Sequence, residues 1–274
     1  MRTIIFSKDR ACQLHLLLES IAKNDKVKLF DDIHVIYTAS NYQFTLGYIY
    51  LKQRFPMVHF RKQESFRKDT MHLLVHSKSE LCVFFVDDII VYRPIDVFEH
   101  DIEILFDKYG DTLACLSLRL GYNTTMLYQT GQMMEFPRIS STDGKIVTWN
   151  RHTMPPMENF NYPLSVDGHI FRTEKILHWT AMTPFSNPNE FESGLARDRA
   201  PEAPPIMACF PASVIVNSPI NRVQDQFANK YGEQYSFSSR DLNDRYLQGD
   251  TIDLSSIDPE SVNASHQEFE VKFK

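Results

Sequence analysis

The chain has 274 residues, 43% of them apolar and 23% charged, with a formal net charge of −6. That composition supports a sizeable folded core and excludes wholesale disorder. An acidic balance with no basic block argues against nucleic acid as a partner, and no apolar run approaches the ~20 residues of a transmembrane segment.

In chain order, residues 2–6 read as a strand that runs into polar Ser7-Lys8-Asp9-Arg10. Leu14, Leu17, Leu18 and Ile21 then recur at helical spacing. Residues 33–38 read as a second strand, 44–55 as a helix stopped at Pro56, and 58–60 as a short third strand. Residues 65–76 read as a helix and 81–86 as a fourth strand. This alternation marks βαβ units and a mostly parallel sheet. Right-handed crossovers align the carboxyl ends of such strands along one edge, where open α/β sheets bind ligands. The segments 7–10, 38–41 and Asp87-Asp88 are therefore expected at one mouth.

Residues 97–109 read as a helix and 113–118 as a strand. The stretch 119–160 carries turn signals, Asp143-Gly144 and Pro155-Pro156, with a strand candidate at 146–149. A strand over 164–171 is expected to lead into a helix from Thr173, and Asn187-Pro188-Asn189 to open another through about Ala196. Four prolines between 200 and 211 mark a linker or an extended strap. Residues 214–216 are a late strand candidate, 221–230 and 239–247 read as helices, and the last 20 or so residues as a loosely held tail. The expected division is an α/β domain over residues 1–216 and a helical extension with its tail over 217–274. Cys12, Cys82, Cys115 and Cys209 are far apart, with no CxxC pair, and the amino terminus lacks a signal-peptide layout. They read as reduced thiols of a cytoplasmic protein.

The stretch "VFFVDDIIV" stops an apolar strand at two adjacent carboxylates. Asp87 and Asp88 repel each other, and a hard cation with a preference for oxygen, Mg²⁺ or Mn²⁺, suits them. Such an ion would let an acidic chain hold a diphosphate and offset the charge on it as a leaving group. A solvated turn is the plainer alternative. His72 and His76 are four apart on an expected helix, but no third ligand accompanies them and a structural role is favoured. His169 is a modest candidate for substrate contact. The aromatic stretch 149–162 reads as packing before it reads as a sugar platform.

These segments together resemble a glycosyltransferase of the GT-A type, similar to the large family-2 group. The resemblance rests on "IIFSKDRACQLHLLLESI", "HVIYTASN", Arg67-Lys68-Asp69 and "FFVDDI", and more weakly on "VDGHIFRTEKI" and "NPNEFESGLA". It covers about residues 2–200. It implies a Rossmann-like mixed sheet flanked by helices, a nucleotide-sugar donor, UDP-linked, and an acceptor hydroxyl on a glycan or other molecule. It implies Asp88 as ligand to Mn²⁺ or Mg²⁺, with Asp87 nearer the ribose; the third acid of the family's Asp-x-Asp is absent here. Arg10, Lys8 and Lys68 become candidate phosphate or base contacts, with Thr38 and Asn41 beside the base. Glu192 becomes the candidate general base and Glu190 the second, with Asp167 orienting the acceptor. A cap reading competes at Glu192, since Asn189 three residues earlier approximates a capping box. A sugar-phosphate nucleotidyltransferase is disfavoured because the loop after the first strand has no glycine. A non-catalytic nucleotide-sugar or interaction module is the other alternative.

Overall fold

The computed structural model describes residues 1–156, 158–223 and 232–274. Its first half follows the strand-helix alternation. β1 (Arg2–Lys8) is followed by α1 (Ala11–Asn24), β2 (Asp32–Thr38), α2 (Tyr42–Arg54), β3 (His59–Lys62), α3 (Phe66–Val75) and β4 (Leu81–Val86). β2 and β4 flank β1, and β3 flanks β2, all parallel. Helices cover both faces, so β1 and β4 are apolar on both. Ile5, Val83 and Phe85 join the core with Leu14 and Leu17, whereas Ile4, Phe6 and Phe84 face Phe66 and Phe191.

The helix starts are set by local polar chemistry. Asn41 caps α2, its Oδ1 accepting from Phe44 N at 3.0 Å. Asp69 reaches back from α3 to accept from Glu64 N, Ser65 N and the Arg61 guanidinium. Burial disfavours its charge, but those backbone N–H groups and Arg61 outweigh burial and hold its carboxyl below the usual range.

Past β4 the sheet becomes mixed. β5 (Ile89–Val91) leaves it immediately after Asp87-Asp88. α4 (Glu99–Tyr109) leads to β6 (Leu113–Ser117), and a two-residue pair, β7 (Met126–Leu127) and β8 (Gln132–Met133), precedes β9 (Ile139–Thr142) and β10 (Val147–Asn150). β11 (His169–Arg172) inserts antiparallel between β4 and β6. α5 (Thr173–Met182) and α6 (Pro188–Gly194) follow. β12 (Ile206–Cys209) lies parallel to β6, β13 (Ile215–Asn217) pairs antiparallel with β5, and α7 (Ser239–Gln248) packs on α1 and α2. Among the described residues the main sheet has nine strands in the order β3-β2-β1-β4-β11-β6-β12-β10-β9. This is the mixed sheet with a parallel first half that the sequence led us to expect.

Three expectations are corrected. Only the end of the 164–171 run is strand. Leu164 and Val166 are buried beneath a turn at Asp167-Gly168, so their apolar character serves packing. Gly168 has φ +75°, and a Cβ there would stand 1.9 Å from Ile215 Cδ1, so only glycine fits. The proline-rich strap holds β12, because the prolines fall on either side of Ile206–Cys209 and leave its N–H groups free to pair. The tail is docked, not loose. Ile257, Val262 and Ala264 are buried, Ser265 O accepts from Asn217 N, and Gln267 N donates to Asn217 O. In the expected helix over 221–230, residues 224–230 lie outside the described residues.

Candidate functional site at the carboxyl edge of the sheet

The carboxyl ends of β1, β2 and β4 bring Ser7–Arg10, Thr38 and Asp87-Asp88 together. Asp9 has φ +56°, and its Oδ1 accepts from Ser40 N at 2.7 Å, which ties the turn after β1 to the turn after β2. Arg10 is nearly buried. Its Nη1 donates to Asp87 Oδ1 at 3.0 Å and to Asp88 Oδ2 at 3.3 Å. Its Nε donates to Asn221 Oδ1 at 2.8 Å, and Nη2 donates to the Asn221 carbonyl oxygen. The chain thus supplies its own cation to the aspartate pair. The repulsion between the two acids is therefore offset in part from within the chain. The same contacts turn the Arg10 guanidinium toward carboxylates and away from the role of an open phosphate clamp.

The two acids are not equivalent. Asp87 is 3% exposed, with Oδ1 on Arg10 and Oδ2 accepting from Lys8 N at 3.1 Å. Burial pushes its carboxyl up to about 6 against the pull of Arg10. Asp88 is less enclosed and lines the cleft; its Oδ1 accepts from Asn217 Nδ2 at 3.2 Å. Both oxygens of each acid accept from protein donors, so what separates them as hard-ion ligands is exposure: Asp87 is 3% exposed, whereas Asp88 is more open to the cleft. Asp88 fits as a single carboxylate ligand, with the remaining positions left to phosphate and water.

On the far wall, Glu192 and Asp167 line the same cleft as Asp88. Glu192 Oε1 accepts from Ser165 Oγ at 2.8 Å and Val166 N at 3.3 Å. The cap of α6 is Asn187, whose Oδ1 accepts from Glu190 N, while Glu190 Oε2 accepts from Ser186 N and Oγ. The start of α6 is therefore capped by Asn187 and Glu190, two positions before the cleft-facing acid, and Glu192 takes no part in it. Asp167 accepts from Arg119 Nη1 at 3.3 Å. Burial, reinforced by Glu192, nevertheless pushes its carboxyl well above the usual range. His266 Nε2 lies 3.8 Å from Asp167 Oδ2, and burial pushes its imidazole down to about 3, which keeps it neutral. Arg119 also donates to Ser165 Oγ and Ser265 Oγ, so one guanidinium joins the turn before β11 to the docked tail.

Two cavities meet here. One, of about 330 Å³, is lined by Asp88, Arg119, Tyr162, Asp167, Glu192 and His266. The other, of about 450 Å³, is more apolar and is lined by Phe6, Ser7, Thr38, Phe66 and Asp87. Arg10, Val86, Pro188 and Asn189 line both. Among the other candidates, Thr38 lines the apolar cavity, but Asn41 is the exposed cap of α2 and Lys68 is exposed on α3; neither lines these two cavities. His169 is buried in the sheet, its Nδ1 within 3.4 Å of Pro163 O, and does not reach the cleft. His72 and His76 stack with ring centroids 4.3 Å apart on an exposed face. Trp149 and Phe160 pack edge-on at 5.5 Å in the core, and only Tyr162 of that aromatic stretch reaches the cleft.

Arg119, Asn217, Asn221 and His266 were not anticipated. Arg119 carried a usable signal, since it lies just past the carboxyl end of β6. His266 carried none, because it sits in the tail and reaches the site through chain docking.

The strand order and the antiparallel β11 make this a mixed α/β fold whose parallel half ends in the paired acids after β4. No family model matches the chain. The chain is similar to the bifunctional glycosyltransferase pgtA of Dictyostelium discoideum, with 27% identity over 297 aligned residues, 93% of this chain. It spans 38% of that relative's length. Among solved structures it is similar to S. aureus TarS 1-349 in complex with UDP-GlcNAc, at 14% identity and TM-score 0.45, covering 84% of this chain and 62% of that one. A second S. aureus TarS structure matches at 13% identity and TM-score 0.43, covering 88% and 38%. No helix among the described residues is long and apolar enough to cross a membrane.

Proposed function

We propose that this chain transfers a sugar from a nucleoside-diphosphate donor, UDP-linked, to an acceptor hydroxyl. The observation that carries the reading is the meeting of two cavities along Arg10, Val86, Pro188 and Asn189, one of them apolar and the other lined by Asp88, Asp167 and Glu192. The similarity to pgtA supports the reaction class. The base and ribose enter the cavity between Thr38 and Phe66, and the diphosphate crosses past Asp88. The acceptor hydroxyl approaches Glu192, which takes its proton as the oxygen bonds the anomeric carbon. The bond to the diphosphate oxygen breaks in the same displacement, its electron pair leaves with UDP, and the anomeric centre inverts. Asp167, whose carboxyl burial and Glu192 push upward and which is held by Arg119, orients the acceptor. An Mg²⁺ or Mn²⁺ ion, when bound, would be held by Asp88 and would offset charge on the diphosphate. Four buried, unpaired cysteines suit a reducing compartment such as the cytoplasm.

The test is release of UDP or GDP from a panel of nucleotide-sugars, with and without Mn²⁺, in wild type and Asp88→Ala. One nucleotide-sugar is expected to turn over, and the variant to lose on the order of 10²-fold. Pyrophosphate release from a nucleoside triphosphate and a sugar phosphate would establish the nucleotidyltransferase instead. Nucleotide-sugar binding without turnover, across acceptors, would establish the non-catalytic module.

A further inference from the structure

We infer a second cation site at the opposite, amino-terminal end of the sheet, formed by Asp32, His34 and His59 and suited to Zn²⁺. Asp32 and His34 are two residues apart on β2, so their side chains share one face. His59 opens β3 and is the direct register partner of His34 on the parallel neighbour. The two imidazoles stack with centroids 4.6 Å apart and planes at 21°. His34 Nε2 lies 2.8 Å from Asp32 Oδ1, and the other oxygen of Asp32 is held by Arg2 Nε at 2.8 Å. One ligand atom from each of the three residues lies within 4.8 Å of the others.

The donor set decides which ion fits. Two imidazoles and one carboxylate match Zn²⁺, whereas Mg²⁺ prefers an all-oxygen shell. A tetrahedral site with bonds of about 2.1 Å has edges of roughly 3.4 Å. The His34 Nε2–Asp32 Oδ1 edge, at 2.8 Å, is tighter than that and the remaining edges lie within 4.8 Å, so small rotations of the two side chains and of the exposed His59 ring complete the geometry. Water completes the fourth position. Arg2 fixes the carboxylate from behind, as outer partners of metal ligands do. The cleft does not share these residues. Four steps along β2, about 13 Å at ~3.3 Å each, separate His34 from Thr38. β3 is the edge strand of the sheet, so an ion bound by His34 and His59 staples the edge to its neighbour.

The test is calorimetric titration of ZnCl₂ into the full chain, made without a histidine tag, paired with thermal melts. Zn²⁺ is expected to bind one site and raise the melting temperature. His59→Ala and His34→Ala are each expected to weaken binding at least about 10-fold and remove the thermal shift. Asp88→Ala is expected to leave both intact, which separates this site from the cleft. His59 is exposed, so its variant folds whatever His34→Ala does. Absence of Zn²⁺ binding in wild type, unchanged binding in His59→Ala, or loss of binding in Asp88→Ala would each overturn the proposal.

Discussion

Glu192→Gln lowers turnover by about 10²- to 10⁴-fold, the usual contribution of a positioned general base, and leaves nucleotide affinity close to wild type. The amide keeps the size of the side chain and can still accept from Ser165 Oγ and Val166 N, as Glu192 Oε1 does. What it loses is the ability to take a proton. Two neighbours serve as controls. Glu190→Gln alters the contacts with Ser186 at the start of α6, so activity is retained and stability falls by about 1 kcal/mol. Asp167→Asn mimics the neutral acid that burial already favours, so it retains far more activity near neutral pH than Glu192→Gln does. Steady-state kinetics of the three variants read this out. Equal losses in Glu192→Gln and Asp167→Asn would move the base to Asp167.

The second large effect is on folding. Arg10→Met removes the cation that sits between Asp87 and Asp88. Breaking a buried ion pair on one side leaves an uncompensated charge and costs about 3–5 kcal/mol. The sign of its pH dependence follows from Asp87. Its folded carboxyl is pushed up to about 6, above the ordinary aspartate value of 3.8, so the folded state binds the extra proton. Stability is therefore lost as pH rises between those values. Without Arg10 the folded carboxyl rises further, and the variant's deficit grows with pH. Denaturant melts at pH 5 and pH 8 should show the larger loss at pH 8. A second substitution, Asp87→Asn, should recover much of it. A deficit that shrinks with rising pH would show that Arg10 does not stabilise a buried carboxylate.

The parallel half of the sheet was legible because β1 and β4 are apolar on both faces and α1 carries clean 3.6-residue spacing. The convergence of the segments 7–10, 38–41 and 87–88 followed from topology alone. The partner of the aspartate pair did not. Arg10 is adjacent to the site in sequence, but nothing local says whether a guanidinium faces outward to phosphate or inward to carboxylates. Burial and Asn221, more than two hundred residues away, decide that. The role of Glu192 was ambiguous for a related reason. Asn187, Asn189, Glu190 and Glu192 offer two overlapping capping patterns, and only the true start of α6 separates them. His266 and the docked tail were illegible, because β13 and the strand-like bridge at Asn217–His266 form through long-range pairing. β12 was hidden by flanking prolines that bound the strand without interrupting it.

A structure of the chain with UDP tests the central claim most directly. The account places uracil in the cavity between Thr38 and Phe66 and the diphosphate beside Asp88, leaving the Glu192 wall open to an acceptor. A nucleotide seated in the reverse direction, with its base against Glu192, or bound outside both cavities, would contradict it.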